Sequence, residues 1–398
     1  MSSNERYSSN IYLATKPEQG NWITTLSPGI DWGVRNDNFK VNSNFTWNQL
    51  FYTNQSALDI SEQLFSVDYS HTHDRFQWGM DSSYNNQSSL SSSPSNQGTV
   101  LGYSLTQVMA KSLSLAPTVT YALTELSSIT LDYSYNKTDF EKSTNNYLRN
   151  YEYQQLAGSY THLYTEKDKL NASLSGSIYD SPSQSIVGYG LTTYNTVAQT
   201  GWQHSFSEQL VSYLSVGMNY SQSDLQLSEP QFPFSGFFFQ GKPAFIDPVN
   251  GLTLDQQYLS VNQTTTGMGS VYQASLQKSF ESGSVSVVGS QNQTPTSQGL
   301  QTQTQLSVTS TYQLTERLST GLSASYAMYE QTGAQSSFLN RSLSSISPNV
   351  NWQWTREVNV GLSYSYVQQD YDKSNQSAQN NTLQLQLSYQ PQLNNQVK

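Results

Sequence analysis

Apolar and polar residues alternate one by one along much of this chain. In residues 360–371, "VGLSYSYVQQDY", the apolar residues Leu362, Tyr364 and Tyr366 alternate with glycine and serine. Successive side chains of a β-strand point to opposite faces, so this pattern predicts a strand with one apolar face. The same alternation predicts six further strands, whose apolar faces are formed by Ile129, Leu131, Tyr133 and Tyr135; by Leu170, Ala172, Leu174 and Ile178; by Leu214, Val216, Met218 and Tyr220; by Leu306, Val308, Tyr312 and Leu314; by Leu322, Ala324, Tyr326 and Met328; and by Leu383, Leu385, Leu387 and Tyr389. Because no stretch of comparable length has a helical period, the sequence predicts an all-β protein.

The connections between the predicted strands alternate between short and long. Eight are tight and mostly charged turns, at 35–38, 71–75, 123–127, 164–169, 206–210, 280–284, 314–318 and 354–358. Nine are longer and richer in Ser, Asn, Gln and Pro, at 15–20, 53–60, 86–100, 139–147, 181–185, 224–257, 292–298, 331–344 and 372–380. Short turns at one end and long loops at the other are typical of outer-membrane barrels. The count predicts a transmembrane, antiparallel, up-and-down β-barrel of about eighteen strands, with sixteen as the second choice and both termini at the turn end.

Several predicted strands are longer than the ~9–11 residues that cross a membrane. These are 103–123, 186–206, 258–280 and 343–355, and we expect them to extend past the bilayer on the loop side. Pro117 and Pro348 lie inside such stretches, where a proline removes one ladder hydrogen bond. We interpret both as β-bulges, the alternative being a break between two shorter strands. The first strand, at about 6–14, has the weakest pattern.

The composition favours a barrel in a membrane over a soluble fold. Apolar residues make up 35% of the chain and charged residues 12%, whereas soluble domains have about 45–50% and about 25%. Aromatic residues reach 13%, which argues against disorder and leaves a soluble β-solenoid as the competing fold. The net charge of −10 without a basic patch excludes a nucleic-acid binder, and the absence of cysteine excludes disulfides and thiolate metal sites.

All seven tryptophans are predicted near strand ends. An aromatic ring with one polar tip suits the boundary between lipid and water, and packing in the core of a sandwich is the alternative. These interface aromatics are Trp22, Trp32, Trp47, Trp78, Trp202, Trp352 and Trp354. The outer, lipid-facing positions of the last two strands are Leu362, Tyr364, Tyr366, Leu383, Leu385 and Leu387.

The histidines give little reason to predict chemistry. His71 and His73 point to one face of a strand and are followed by Asp74, but no third metal ligand is near them. No nucleophile-elbow motif is present, and no acid lies beside His162 or His204 at strand spacing. The sequence therefore predicts no enzyme, no metal and no cofactor.

The long loop 228–257 is the most distinctive stretch of the chain. Exposed phenylalanines are costly in water and loops of this length are usually functional or disordered, so we expect it to pack against something. It forms a constriction inside the lumen, contacts a partner or glycan at the surface, or covers the barrel rim. The residues of this predicted constriction or binding loop are Phe232, Phe234, Phe237, Phe238, Phe239, Lys242, Phe245 and Asp247.

The predicted lumen is polar and mostly neutral. Lys and Arg number 18 and fall mainly in turns and loops, with Lys111 and Arg341 as the exceptions in or near strands. No ladder of arginines appears, as an anion channel would require. Ser, Asn, Gln and Tyr along a wide channel suit neutral, sugar-like solutes, and the acidic excess favours cations weakly.

Two parts of the chain resemble a known group of barrels. "ERYSSNIYLA" (5–14) with "WITTLSPGI" (22–30), and "YQLTERLSTGLSASYAMYE" (312–330) with the hairpins of 347–390, resemble an outer-membrane β-barrel family found with exosortase (PEP-CTERM) and exopolysaccharide gene clusters. The resemblance implies an outer-membrane location and a role in polymer export or envelope assembly, and it carries over no catalytic residues. The chain departs from the usual barrel ending, because nine residues (390–398) follow the last aromatic of the last strand.

Residues 1–398 are thus predicted to form one porin-like barrel in the outer membrane of a Gram-negative bacterium, with the loop 224–257 and a C-terminal tail. The start of the chain lacks the apolar segment of a secretion signal, so this location requires that the signal was removed or missed. The leading function is a passive channel or export pore for small or sugar-like polar solutes or a polymer. The alternatives are a non-conducting structural or surface-interaction barrel and the sleeve of a multihaem electron conduit. The expected partners are outer-membrane lipid and periplasmic or surface envelope components, with no nucleic acid.

Overall fold

The computed structural model describes most of the chain. The described residues are 1–15, 18–90, 107–141, 148–182, 189–231, 234–239, 242–247, 249, 251–253, 258–297, 299–331, 340–371 and 376–391. Among them the only helix is a single 3₁₀ turn, Ser56–Leu58. No helix in this part of the chain is long and apolar enough to cross a membrane.

The strands follow the predicted alternation. They are β1 (Ser2–Ser8), β2 (Asn21–Ser27), β3 (Gly29–Arg35), β4 (Phe39–Tyr52), β5 (Ile60–His73), β6 (Phe76–Ser88), β7 (Met109–Ala122), β8 (Ser127–Phe140), β9 (Tyr151–Leu163), β10 (Asp168–Ser181), β11 (Tyr189–Ser207), β12 (Leu210–Pro230), β13 (Phe234–Phe239), β14 (Lys242–Asp247), β15 (Gly251–Thr253), β16 (Tyr258–Phe280), β17 (Gly283–Thr296), β18 (Gly299–Thr315), β19 (Leu318–Gln331), β20 (Arg341–Gln353), β21 (Val358–Tyr371) and β22 (Gln376–Tyr389).

The main sheet closes on itself. Neighbouring strands of the wall pair antiparallel, β12 pairs with β16 past the small strands between them, and β1 pairs with both β2 and β22. β2 and β3 both pair with β4 and occupy one wall position, interrupted at Pro28. The barrel therefore has eighteen strands, which confirms the predicted fold. Every wall strand has two partners, so the closed part of the wall has no open edge.

The two faces of the wall differ in chemistry. Outward side chains are apolar and exposed, as in Leu174 (60% exposed), Met218 (60%) and Leu385 (51%). Inward positions alternate with them and carry mainly Ser, Thr, Asn, Gln and Gly. The period-two pattern thus places one apolar and one polar surface on a single sheet.

Connections at the two ends have different lengths, as predicted. At the turn end, the wall strands join through two to four residues, for example 74–75 and 164–167. Met1 and the end of β22 both lie there, since Met1 and Tyr389 exchange backbone hydrogen bonds of 3.1 and 2.9 Å. The longer connections leave and rejoin the wall strands at the opposite end, called the loop end below.

Four expectations about individual strands are corrected. The first strand is Ser2–Ser8, not 6–14, because the chain turns into the lumen after Ser8. Neither Pro117 nor Pro348 forms a bulge or a break. The strand register is the same before and after each proline, and only the ladder pairs next to the proline are missing. The expected loop 292–298 is mostly strand, because β17 reaches Thr296 and β18 begins at Gly299. The loop expected at 224–257 begins later, because β12 continues to Pro230.

β12 and β16 extend far beyond their neighbours. Their ladder runs from Leu210 opposite Lys278 to Pro230 opposite Tyr258. The ladder between β16 and β17 ends at Tyr272 opposite Gln291. In the described part of the chain, no strand pairs with the other edge of β16 between residues 258 and 271. At the tip of this extension, β13, β14 and β15 form a separate three-stranded sheet.

Candidate functional site: the lumen and its loop-end mouth

The lumen wall is a network of short polar side chains. Hydroxyl pairs bridge neighbouring strands at Ser325 and Ser345 (2.7 Å) and at Thr120 and Thr130 (2.9 Å). Ser347 and Ser365 (2.8 Å) do the same beside Pro348, where the ladder lacks pairs. Such a surface hydrogen-bonds water and uncharged polar solutes without selecting for charge.

One sector of the wall is acidic. Five carboxylates lie on the inner face of β3 to β8: Asp31, Glu62, Asp68, Asp81 and Asp132. Asp68 and Asp81 are directly opposite each other on β5 and β6. Asp31, Asp68, Asn42 and Asn44 line a cavity of about 280 Å³. This side of the lumen wall therefore carries more acidic side chains than the rest of the inner face.

The connection between β1 and β2 turns into the lumen. Asn10 is fully buried and donates hydrogen bonds from Nδ2 to the carbonyl oxygens of Ala14 (2.8 Å) and Gln379 (3.0 Å). The amide of Ala14 donates back to Asn10 Oδ1 (3.1 Å). Asn380 Oδ1 accepts hydrogen bonds from Ser8 Oγ (2.9 Å) and from the Asn10 amide (3.0 Å). The segment 9–15, called the inner loop below, is thus held against the inside of β22.

The inner loop connects two apolar clusters inside the mouth. Leu13 packs against a cluster of Ala327, Tyr329, Leu343 and Val367. Ile11 packs, with Leu58 and Ile60, against a second cluster of Ile23, Leu50 and Tyr52. Apolar side chains on the inner face occur mainly at this end of the strands, and they anchor connections that narrow the mouth.

The hairpin of β17 and β18 narrows the mouth from another side. Beyond Gln291 it leaves β16 and reaches the inner face of β10 and β11. Tyr179 is fully buried there, and its hydroxyl donates to the carbonyl oxygen of Thr296 (2.8 Å), 117 residues away. Leu300 lies in one cluster with Tyr179, Tyr151 and Tyr153. We call residues 292–297 and 299–301 the strap.

Gly299 fits the strap to the wall. Its φ of +120° is a conformation that side chains with a Cβ rarely adopt. A Cβ at this position would lie 2.9 Å from Cδ2 of Leu191 on β11. Glycine therefore allows both the tight turn and the close approach to the wall.

Two arginines border the mouth. The guanidinium of Arg149 donates to the carbonyl oxygens of Ser181 and Pro182 at 3.3 Å each. Arg341 lies on the inner face, with its guanidinium 5.1 Å from the ring centre of Tyr329. Lys111, in contrast, lies on the outer face at the loop end, 4.0 Å from Glu141.

The predicted outward residues lie on the outer face. Leu362, Tyr364, Leu383, Leu385 and Leu387 are exposed, and Tyr366 is half-buried at the same parity. Trp32, Trp78, Trp202, Trp352 and Trp354 lie near the turn end, Trp22 lies near the loop end, and Trp47 lies in the body of β4. All seven indoles are about half exposed.

The histidines lie at the turn end in local contacts. Ser127 Oγ is 2.8 Å from His162 Nδ1, and no carboxylate bonds His162 among the described residues. An acid does lie beside His204, contrary to the sequence-based expectation: Asp168 faces it across the strands, with a distance of 2.8 Å to Nδ1. Sequence spacing misses this pair because the two residues belong to different strands. The described residues contain no group of three or more acidic, His or Cys side chains that could bind a metal.

The phenylalanine-rich loop predicted at 228–257 forms the small sheet of β13, β14 and β15 and adds no strand to the wall. Phe234 and Phe245 are opposite each other on β13 and β14, and Phe238 is 68% exposed. Phe237, Phe239, Lys242 and Asp247 lie in the same two strands. Phe232 lies outside the described residues, as do parts of the expected loops 86–100, 139–147, 331–344 and 372–380 and most of the tail 390–398. The role of this loop as a constriction stays a prediction.

These features define a closed, eighteen-stranded β-barrel with an apolar exterior, a polar lumen and a narrowed mouth. The sequence matches no known family model and no curated protein. The fold is similar to that of the ferric-catecholate import receptor Fiu of E. coli K12 in its open form, over 98% of this chain and 81% of the receptor, with a TM-score of 0.50 and 9% identity. OpdL of Pseudomonas aeruginosa aligns over 98% of this chain and 96% of its own, with a TM-score of 0.39 and 10% identity. At such identities the likeness concerns the fold alone.

Proposed function

We propose that this protein is an outer-membrane β-barrel that conducts small polar solutes through its lumen. The observation that carries the proposal is the division of the closed wall into an apolar outer face and a polar inner face. Only a bilayer covers the outer face of every strand at once, and a barrel is one of the two structures that satisfy all backbone groups there. Barrels of sixteen to eighteen strands are wide enough for an aqueous channel.

The lumen chemistry supports polar solutes rather than apolar ones. Hydroxyl and amide groups dominate the inner face, and the acidic sector on β3 to β8 adds a preference for cations over anions. Sugar-like solutes and an exported polymer fit the neutral remainder of the wall. The association with exopolysaccharide export stays part of this proposal.

The mouth supports a second candidate, a barrel that does not conduct. The inner loop and the strap occupy part of the lumen at the loop end, as would be needed in a plugged structural or surface-binding barrel. The sleeve of an electron conduit would instead need a wide lumen to receive a partner. The narrowed mouth gives this third function less support.

Reconstitution separates these functions. Purified protein in planar bilayers should give unitary conductance steps with cation preference, and liposomes containing it should swell in small sugars. Liposomes prepared with heat-denatured protein serve as the control. Well-folded barrel that gives neither conductance nor swelling would contradict the channel and favour the plugged barrel.

A further inference from the structure

The strap has two alternative partners in the same molecule. In the structure it docks on β10 and β11 through Tyr179, Leu191 and the Leu300 cluster. Meanwhile the β16 edge at residues 258–271 has no strand partner in the described chain. An unpaired strand edge is a template for a further strand.

The register shows which strap residues would fit that edge. The last pair is Tyr272 opposite Gln291, and antiparallel continuation would place Ser270 opposite Gln293, Met268 opposite Pro295 and Gly267 opposite Thr296. β12 holds β16 in extended conformation along all of these positions. The edge is therefore formed in advance, and a straightened strap would pair with it through Gln293, whereas Pro295 has no N–H group to donate.

At Gln291, where β17 leaves β16, a side chain takes the place of the next backbone hydrogen bond of the ladder. Gln291 Nε2 donates to the carbonyl oxygen of Ser270 at 2.8 Å and lies 3.1 Å from its hydroxyl. The Gln291 side chain thus occupies the Ser270 carbonyl oxygen, which would accept the backbone N–H group of Gln293 if the ladder continued. The bend is thus stabilised at its start by Gln291 and at its end by Tyr179.

The geometry points to a two-position strap that gates the mouth: docked on Tyr179 it narrows the lumen, and straightened against β16 it opens the lumen. In the docked position the carbonyl oxygen of Thr296 accepts the Tyr179 hydroxyl, and in the straightened position the strap would pair with the β16 edge, so we expect two discrete states rather than gradual deformation. As a gate of solute flow, the strap rests on the proposed channel function. Its movement can be measured separately.

Cross-linking tests the two positions directly, because the chain has no cysteine and every bridge is therefore an introduced one. Leu191→Cys with Leu300→Cys, bridged by a short bifunctional thiol reagent, should trap the docked strap. Met268→Cys with Pro295→Cys should form a disulfide only in the straightened strap. Met268→Cys with Thr294→Cys is the matched control, because residue 294 faces the opposite side of the strand and should not react.

Tyr179→Phe should shift the strap towards β16. It removes the hydroxyl that bonds Thr296 but keeps the ring, so we expect the ratio of straightened to docked strap to rise about fivefold, with faster 268–295 bridging. Tyr153→Phe is the control, since Tyr153 belongs to the same cluster but its hydroxyl donates to Gln155 on its own strand. Equal bridging rates in the two variants would overturn the role of Tyr179.

Bilayer recordings connect the strap to solute flow. The barrel bridged at 268–295 should conduct more than the barrel bridged at 191–300, and reduction of the 268–295 disulfide should return its conductance to that of the unbridged protein. Failure of 268–295 to bridge in folded protein that bridges at 191–300 would overturn the two-position strap. If bridging follows the prediction but no form conducts, the movement stands and the channel function is wrong.

Discussion

Asp168, at the turn between β9 and β10, receives three hydrogen bonds outside the membrane-spanning part of the wall. Thr165 Oγ1 donates at 2.7 Å, His204 Nδ1 lies at 2.8 Å, and Trp202 Nε1 donates at 2.9 Å. The Thr165 hydroxyl, His204 and Trp202 together lower the pKa of Asp168 from 3.8 to about 2. At the residue scale, this carboxylate fastens a turn to the next strand.

The lowered pKa of Asp168 gives a pH dependence with a definite sign. Its folded pKa lies below the unfolded value, so the ionised form adds stability above about pH 4 that is lost as the pH falls towards 2. In Asp168→Asn, the thermal midpoint should fall less steeply between pH 5 and pH 2 than in the wild type. Glu166→Gln removes an exposed carboxylate from the same turn and should keep the wild-type slope. Identical slopes in all three proteins would contradict the account.

Asn10 is the residue on which the inner loop depends. Asn10→Ala would leave the buried Ala14 amide and the carbonyls of Ala14 and Gln379 without this partner, which weakens docking of the loop by about 2–3 kcal/mol. Hydrogen exchange of the Ile11 and Leu13 amides should become faster, with little change in the wall strands. Asn54→Ala, at an exposed position in the next loop, is the control. Unchanged exchange in Asn10→Ala would show that the loop is held by other contacts.

At the element scale, alternation predicted faces better than it predicted paths. It assigned the exposed face of β22 residue by residue and located all eight turns. Both follow because apolar outward residues and polar inward residues alternate one by one along each strand. It extended the first strand through Ile11 and Leu13, since their apolar character is the same whether they face lipid or an inner cluster. It also missed the strap. The alternation of apolar and polar residues in β17 is the same whether this strand pairs with both β16 and β18 or with β18 alone.

The acidic sector of β5 and β6 gives an element-scale prediction. Asp68 and Asp81 are opposite each other on the inner face, so their charges repel each other and attract cations from the lumen. Asp68→Asn with Asp81→Asn should move the reversal potential in a salt gradient towards that of an unselective pore. Asp74→Asn, in the exposed turn, should leave it unchanged. Equal effects of the turn and lumen variants would contradict the assignment of these carboxylates to the ion path.

At the scale of the whole molecule, composition and closure explain each other. A chain with 35% apolar residues has too few for a soluble core of this length, and a cylinder in a bilayer needs apolar residues on one face only. This much was predictable from the sequence. The narrowed mouth was not predictable from the sequence. The contact of Tyr179 with Thr296 joins residues 117 positions apart, and it forms only once the closed wall brings β10 and β17 together across the lumen.

The two faces of β22 predict opposite effects of the same substitution. Leu385→Arg places a charge on the outer face and should destabilise the barrel in a bilayer by about 2–4 kcal/mol at mid-depth. Gln386→Arg, one residue later, points into the lumen opposite Asn4 and Gly361 and should cost much less. Urea unfolding in lipid vesicles measures both, and equal losses would show that the outer face is not in lipid.

Labelling of single cysteines in β21 tests the central claim most directly. Each of Leu362→Cys, Ser363→Cys, Tyr364→Cys and Ser365→Cys introduces the only thiol of the chain, and the protein is reconstituted in vesicles and exposed to a membrane-impermeant maleimide. A membrane-spanning barrel with a water-filled lumen predicts rapid labelling at 363 and 365 and protection at 362 and 364. Equal labelling at all four positions would contradict a barrel with lipid outside and water inside.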